Sequence, residues 1–222
     1  MAKVDTCYLC NQPVRDDSRS RDHVPPLQLF APSIRKRFNP HKLTTLPAHK
    51  SCNQDFGRDE EYFAHSLAAV AVGSPTADAL VRHHGDRLWS GRAVGLVNKV
   101  IESFEDRPSG LSLPERKLVL RVEGDRIRRV AWKIVRGLFR LEHGAHLPEV
   151  TRHRIELREP ENTGPSLLDD VWETVKAEES KGLYQAVFAY KHLWVANERS
   201  HRIRCLWGML LWDRLMIFIA HE

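Results

Sequence analysis

The chain is short of cysteine, of long uninterrupted apolar runs and of internal repeats, and each shortage removes a class of protein. Four cysteines in 222 residues, three of them before residue 53, cannot build a disulfide scaffold and fit a reducing cytoplasm. The opening residues, MAKVDTC, contain no apolar segment of the kind that directs secretion. The one strongly apolar stretch, LWGMLLWDRLMIFIAHE, is broken by Asp213 and Arg214. Neither half is long enough to cross a bilayer, so it reads as core. The expected protein is cytoplasmic, makes no use of a membrane and comprises one large or two small domains.

Charge is nearly balanced except at one end. The formal net charge is +5, and residues 1–58 hold ten Lys/Arg against five Asp/Glu, so the rest of the chain sums to zero. A local excess of cations is what a surface receiving a polyanion shows, because Lys and Arg displace counterions from phosphates and steer association. Arg35, Lys36, Arg37, Lys42 and Arg58 are the expected phosphate contacts. A solubilising loop has the same composition.

The same end carries the densest chemistry. Cys7-x-x-Cys10 and His49-x-x-Cys52 are two ligand pairs separated by a few dozen residues, the spacing of a tetrahedral zinc site. Thiolate and imidazole suit zinc, and four protein ligands fill its shell, so this ion would be structural and staple a segment poor in large apolar residues. A lone Cys-x-x-Cys can equally be a redox pair, but that leaves His49-x-x-Cys52 unexplained.

Between the pairs stand Asp22 and His23, followed by Pro25 and Pro26, which predict a rigid extended turn. Histidine can deprotonate water near neutral pH, and a neighbouring carboxylate can hold a hard divalent cation. An ordinary surface turn with a salt-bridged aspartate has the same sequence.

Taken together, Cys-x-x-Cys, then Asp-His-hydrophobic-x-Pro, then Leu-Pro-x-His-x-x-Cys-Asn resemble the HNH endonucleases, whose fold is the ββα-metal finger. The resemblance covers about the first quarter of the chain. It implies that His23 activates water and that Asp22 and Asn53 hold a catalytic divalent cation, Mg²⁺ or another. Cys7, Cys10, His49 and Cys52 would hold structural Zn²⁺, and hydrolysis would leave 5′-phosphate ends. The chain departs from the family pattern in two places: His49 replaces a commoner cysteine, and Thr44 and Thr45 stand where the motif's middle asparagine is expected. Either threonine, Asn39 or His41 could take over its orienting task. The implied function is a phosphodiester hydrolase acting on nucleic acid, DNA before RNA. The alternative is a non-catalytic zinc module that binds nucleic acid or a protein partner, and a hydrolase of another phosphoester is a third reading.

The expected fold class is α+β, with a finger over residues 1–66 and an extension over 67–222. Apolar periodicity predicts a helix continuing from the finger past Gly57, with Glu60 and Glu61 as first-turn acids. Ser74-Pro75 predicts a second helix to about Trp89, and a third runs from about Arg92 to Phe104. KLVLRV and RIRRVA, alternating around Glu123-Gly124-Asp125-Arg126, predict a hairpin, followed by a helix ending at Gly144 and a strand in VTRHRIEL. Arg121 to Arg140 forms a second basic region that could extend a nucleic-acid groove, or, slightly favoured, a solvated face whose arginine stems cover apolar surface. A helix from Ser166 to about Glu179 and two long C-terminal strands complete the chain, with Trp194, Trp207 and Trp212 as core aromatics and Cys205 as a buried thiol.

Overall fold

Strand β1 (Arg19–His23) alternates exposed and inward residues and pairs antiparallel with β2 (Thr45–His49). The register sets Asp22 opposite Leu46 and His23 opposite Thr45. Side chains alternate across a strand, so Asp22, Leu46 and Ala48 form an inner face, while Arg21, His23 and Thr45 share the outer one. A computed structural model describes residues 5–37, 43–71, 73–91, 94–105, 119–147, 152–158, 178–197 and 202–221. Between the two strands lies the short helix α1 (Pro32–Arg37), and β2 runs directly into α2 (Lys50–Val70), which packs on both strands. The order is therefore hairpin, then helix.

Helix α2 is continuous through residue 66, so the expected division between finger and extension falls inside a helix. Its start at Lys50 puts Glu60 and Glu61 in mid-helix and not in a first turn. Helices α3 (Pro75–Trp89) and α4 (Val94–Glu102) follow where expected, with Ser74 as N-cap and Pro75 opening α3.

The predicted hairpin at Glu123–Arg126 is not formed. Short strands β3 (Phe104–Glu105) and β4 (Val119–Leu120) pair with each other, and α5 (Gly124–His143) begins at the glycine. Ile127, Val130, Ala131, Ile134, Val135 and Leu138 recur at helical spacing, and that longer period outweighs the four-residue turn signal. All six are buried, and each of the five larger side chains contributes about 1.5–3 kcal/mol on burial. Helix α5 ends as expected at Gly144, whose φ of 64° is left-handed.

The C-terminal region forms a five-stranded antiparallel sheet in the order β5-β9-β8-β7-β6, made by β5 (His153–Arg158), β6 (Lys181–Tyr184), β7 (Phe188–Asn197), β8 (Arg202–Leu211) and β9 (Leu215–His221). Each of the two predicted C-terminal strands is thus divided by a turn. In the second, Trp212 and Asp213 take φ of 52° and 55°, the two left-handed residues of a tight hairpin turn. Trp212 is fully buried there, and its Nε1–H donates to the Leu29 carbonyl at 3.0 Å, tying the sheet to the N-terminal segment. Trp207 and Cys205 are core as expected, whereas Trp194 is 36% exposed, tilted over Phe139 and His143. The predicted helix from Ser166 and the loop before it fall almost wholly outside the described residues, and residues 178–180 are not helical. One apolar cluster joins Phe63 and Leu67 of α2, Ile134 of α5, and Trp207 and Ile217 of the sheet. No described helix is long and apolar enough to cross a membrane.

Candidate functional site

The N-terminal knuckle is shaped by its own backbone. Cys7 N–H donates to Gln12 O at 2.9 Å and Asn11 N–H to Cys7 O at 2.8 Å, with Asn11 left-handed at φ 60°. Tyr8 N–H donates to the Pro47 carbonyl at 3.2 Å, which lays this turn beside the end of β2. There the Sγ atoms of Cys7, Cys10 and Cys52 and a ring nitrogen of His49 all lie within 4.8 Å of one another, close enough to bind a metal such as zinc. His49 Nδ1 is 3.3 Å from Cys10 Sγ and 3.8 Å from Cys52 Sγ. Its Nε2–H donates to the Pro13 carbonyl at 3.1 Å, which fixes the tautomer and leaves the Nδ1 lone pair facing the sulfurs.

Burial pushes Cys7 up, but the backbone groups of His49, Cys10 and Leu9 outweigh it and bring Cys7 below its ordinary value. Cys52 is pushed up to about 12 by burial and then by the negative charge of Cys7. A bound cation would offset that negative charge and favour ionisation of Cys52. The donors, their closeness and the fixed tautomer fit a closed structural zinc site.

His23 and Asp22 go to opposite faces of β1. The His23 ring is half-buried on the outer face, across from Thr45. Burial lowers its pKa, Arg35 and Lys133 lower it further, and Asp22 opposes them, so the imidazole is neutral at pH 7. Thr45 Oγ1 accepts from Arg21 Nε at 2.8 Å, so of the two threonines this one stands beside His23 and is already engaged. Asn39, His41 and Lys42 lie outside the described residues.

Asp22 turns inward and is 4% exposed. Tyr8 Oη–H donates to its Oδ2 at 2.6 Å, and Lys133 Nζ lies 2.8 Å from the same oxygen. Lys133, itself fully buried on α5, also pairs with Glu60. Burial, then the Asp22 charge, push the Tyr8 phenol well above its ordinary value, so it remains a donor. Asn53 Nδ2 donates to Ser20 Oγ at 3.1 Å, on the same side of the hairpin. The described geometry does not fit a divalent cation on Asp22, because an ammonium already meets its inward oxygen and repels a second cation.

Sequence reading missed Lys133, which looked like one cation among many. Its position on the buried face of α5, three residues after Val130 and four before Gly137, was the available signal. Of the expected phosphate contacts, Lys36, Arg37 and Arg58 are exposed, and Arg35 is half-buried. The second basic region is largely committed: Arg126 and Arg129 pair with Asp59, Arg129 also with Asp55, and their guanidinium carbons lie 4.2 Å from the ring centroids of Tyr62 and Phe56. That is the solvated-face reading.

The described fold and site thus define an α+β protein whose N-terminal hairpin and helix are joined at a Cys₃His cluster. No family model, curated protein or solved structure matches the chain.

Proposed function

We propose that the chain is a nuclease of HNH type that hydrolyses phosphodiester bonds of nucleic acid, DNA in preference to RNA. The observation that carries this reading is His23: a neutral, half-buried imidazole on the outer face of a hairpin that runs straight into a helix and ends at the Cys₃His cluster. A neutral imidazole can take a proton from water as the water oxygen attacks phosphorus. The bond from phosphorus to the 3′-oxygen breaks, leaving a 5′-phosphate and a 3′-hydroxyl. Exposed Arg21 on the same strand face and Arg35 near the ring supply cations for the phosphate oxygens. The family's divalent cation would add charge stabilisation, but Asp22, paired with Lys133, does not fit it.

That ion pair favours a second reading, a zinc module that binds nucleic acid or a protein without cutting. Plasmid nicking separates the two. Parent protein and His23→Ala are compared with Mg²⁺, Mn²⁺ or Ni²⁺, with zinc content measured for both. Cleavage by the parent, lost in a variant that keeps its zinc, is the result expected of the nuclease. Retention of a plasmid in a gel without cleavage by either protein overturns it in favour of the binding module.

A further inference from the structure

A cavity of about 220 Å³ lies among α1, α2 and α3, and of its wall the hydrolytic reading uses Arg35 alone. Its wall gathers Arg35, Glu61, His65, His83, His84 and Arg87. His65 and His84 stack with ring centroids 3.2 Å apart and planes 2° from parallel. His65 is 4% exposed, and its Nε2 has no hydrogen-bond partner among the described residues. Arg35 Nε is likewise buried and without one. Such orphans are costly, and both belong to side chains of this one cavity wall, so a ligand that reached them would complete them.

The chemistry of that ligand follows from the wall. Arg87 donates to Glu61 at 2.6 Å, so this pair is internally neutral, and Arg35 brings a second guanidinium while the lining contains no second acid. Arg35, the guanidinium that no acid of the wall offsets, repels a metal ion despite the three histidines. Among the described residues, only the Cys7 cluster gathers ligating groups closely enough for one. Burial holds His65 down to about 4 and His84 down to about 3, so both rings are neutral, each with one N–H to offer. Guanidinium forks and imidazole N–H groups arriving from three helices suit a tetrahedral oxyanion, which accepts from more directions than a planar carboxylate.

We propose that this cavity is a phosphate site, in which Arg35, His65 and Arg87 bind a phosphate group supplied either free or by a nucleic-acid strand. The site does not depend on His23 acting as a base.

Titration calorimetry of the full chain tests it with three probes: orthophosphate, thymidine 5′-monophosphate, and a single-stranded decamer lacking terminal phosphates. Saturable binding of orthophosphate is expected. It should weaken about tenfold or more in Arg35→Gln and in His65→Gln, but less than about twofold in Arg82→Gln, an exposed cation of α3 outside the wall. Thermal melting checks that each variant folds, and His65→Gln carries the test if Arg35→Gln does not. Tighter binding of the decamer, weakened by the same two variants, identifies the strand backbone as the source, whereas equal or tighter binding of the small phosphates identifies a free phosphate. No saturable binding of any probe, or equal weakening in Arg82→Gln, overturns the proposal. His23→Ala should bind orthophosphate like the parent, so failure of the nuclease reading leaves this result intact.

Discussion

Replacing Lys133 with methionine keeps the length of the stem and removes the charge that two buried carboxylates share. The Lys133 side chain is 1% exposed, and those of Asp22 and Glu60 are 5% each. Without the ammonium, Asp22 and Glu60 face each other out of water, and breaking a buried pair in this way costs about 3–5 kcal/mol. Folded chains hold only about 5–15 kcal/mol in all, so the loss is about a fifth or more of the total. At about 2–4 °C per kcal/mol for a chain of this size, the melting midpoint should fall by about 6–20 °C near neutral pH. Burial already raises Glu60 above its ordinary 4.5, a shift that Lys133 opposes and Asp22 reinforces, so removing Lys133 raises it further. A carboxylate whose folded pKa lies above its unfolded value favours folding below the unfolded value and loses that advantage as pH rises. The deficit of Lys133→Met should therefore be smallest near about pH 5 and grow towards about pH 8. Circular dichroism melts across that range are the assay. A deficit below about 2 °C, or one independent of pH, would refute the account of a desolvated Asp22–Lys133–Glu60 set.

The Cys₃His cluster predicts about one tightly held zinc per chain by plasma mass spectrometry, lost in His49→Ala and Cys52→Ala, with protons released as metal is added back because the thiols ionise on binding. Metal content unchanged by both variants would place any zinc elsewhere. At Gly137 an added Cβ would stand 2.6 and 2.7 Å from the two methyl groups of Val24, the residue after His23. Overpacking of about 1–3 kcal/mol exceeds most of the roughly 1 kcal/mol that alanine gains in a helix, so Gly137→Ala should melt lower than the parent, and Val24→Ala in the same background should recover part of the loss. A midpoint at or above the parent's would show that Val24 moves aside freely.

Much of the candidate site was legible because its signals are local. Two-residue gaps within each ligand pair are set by how one turn presents two side chains, so Cys7-x-x-Cys10 and His49-x-x-Cys52 announce themselves without the rest of the chain. The same holds for α3, which Ser74-Pro75 opens, and for the end of α5 at Gly144. Where local signals compete, they mislead: Glu123-Gly124-Asp125 is a good turn, yet the apolar period from Ile127 onward makes it the start of a helix. Trp212 shows the reverse case. An aromatic in an apolar run reads as strand, but its indole is needed at the Leu29 carbonyl, and the chain turns there at left-handed φ.

By itself, then, the sequence determined the two knuckles of the Cys₃His cluster, the extended segment carrying Asp22 and His23, and the helices with clear caps, because each rests on residues a few positions apart. Tertiary structure decided what those groups meet. Lys133 reaches Asp22 from more than a hundred residues away, and Arg35, His65 and Arg87 share one cavity only because three helices pack around it. Such encounters depend on which faces are buried together, and the free energy of burial belongs to the packed assembly and not to any one segment.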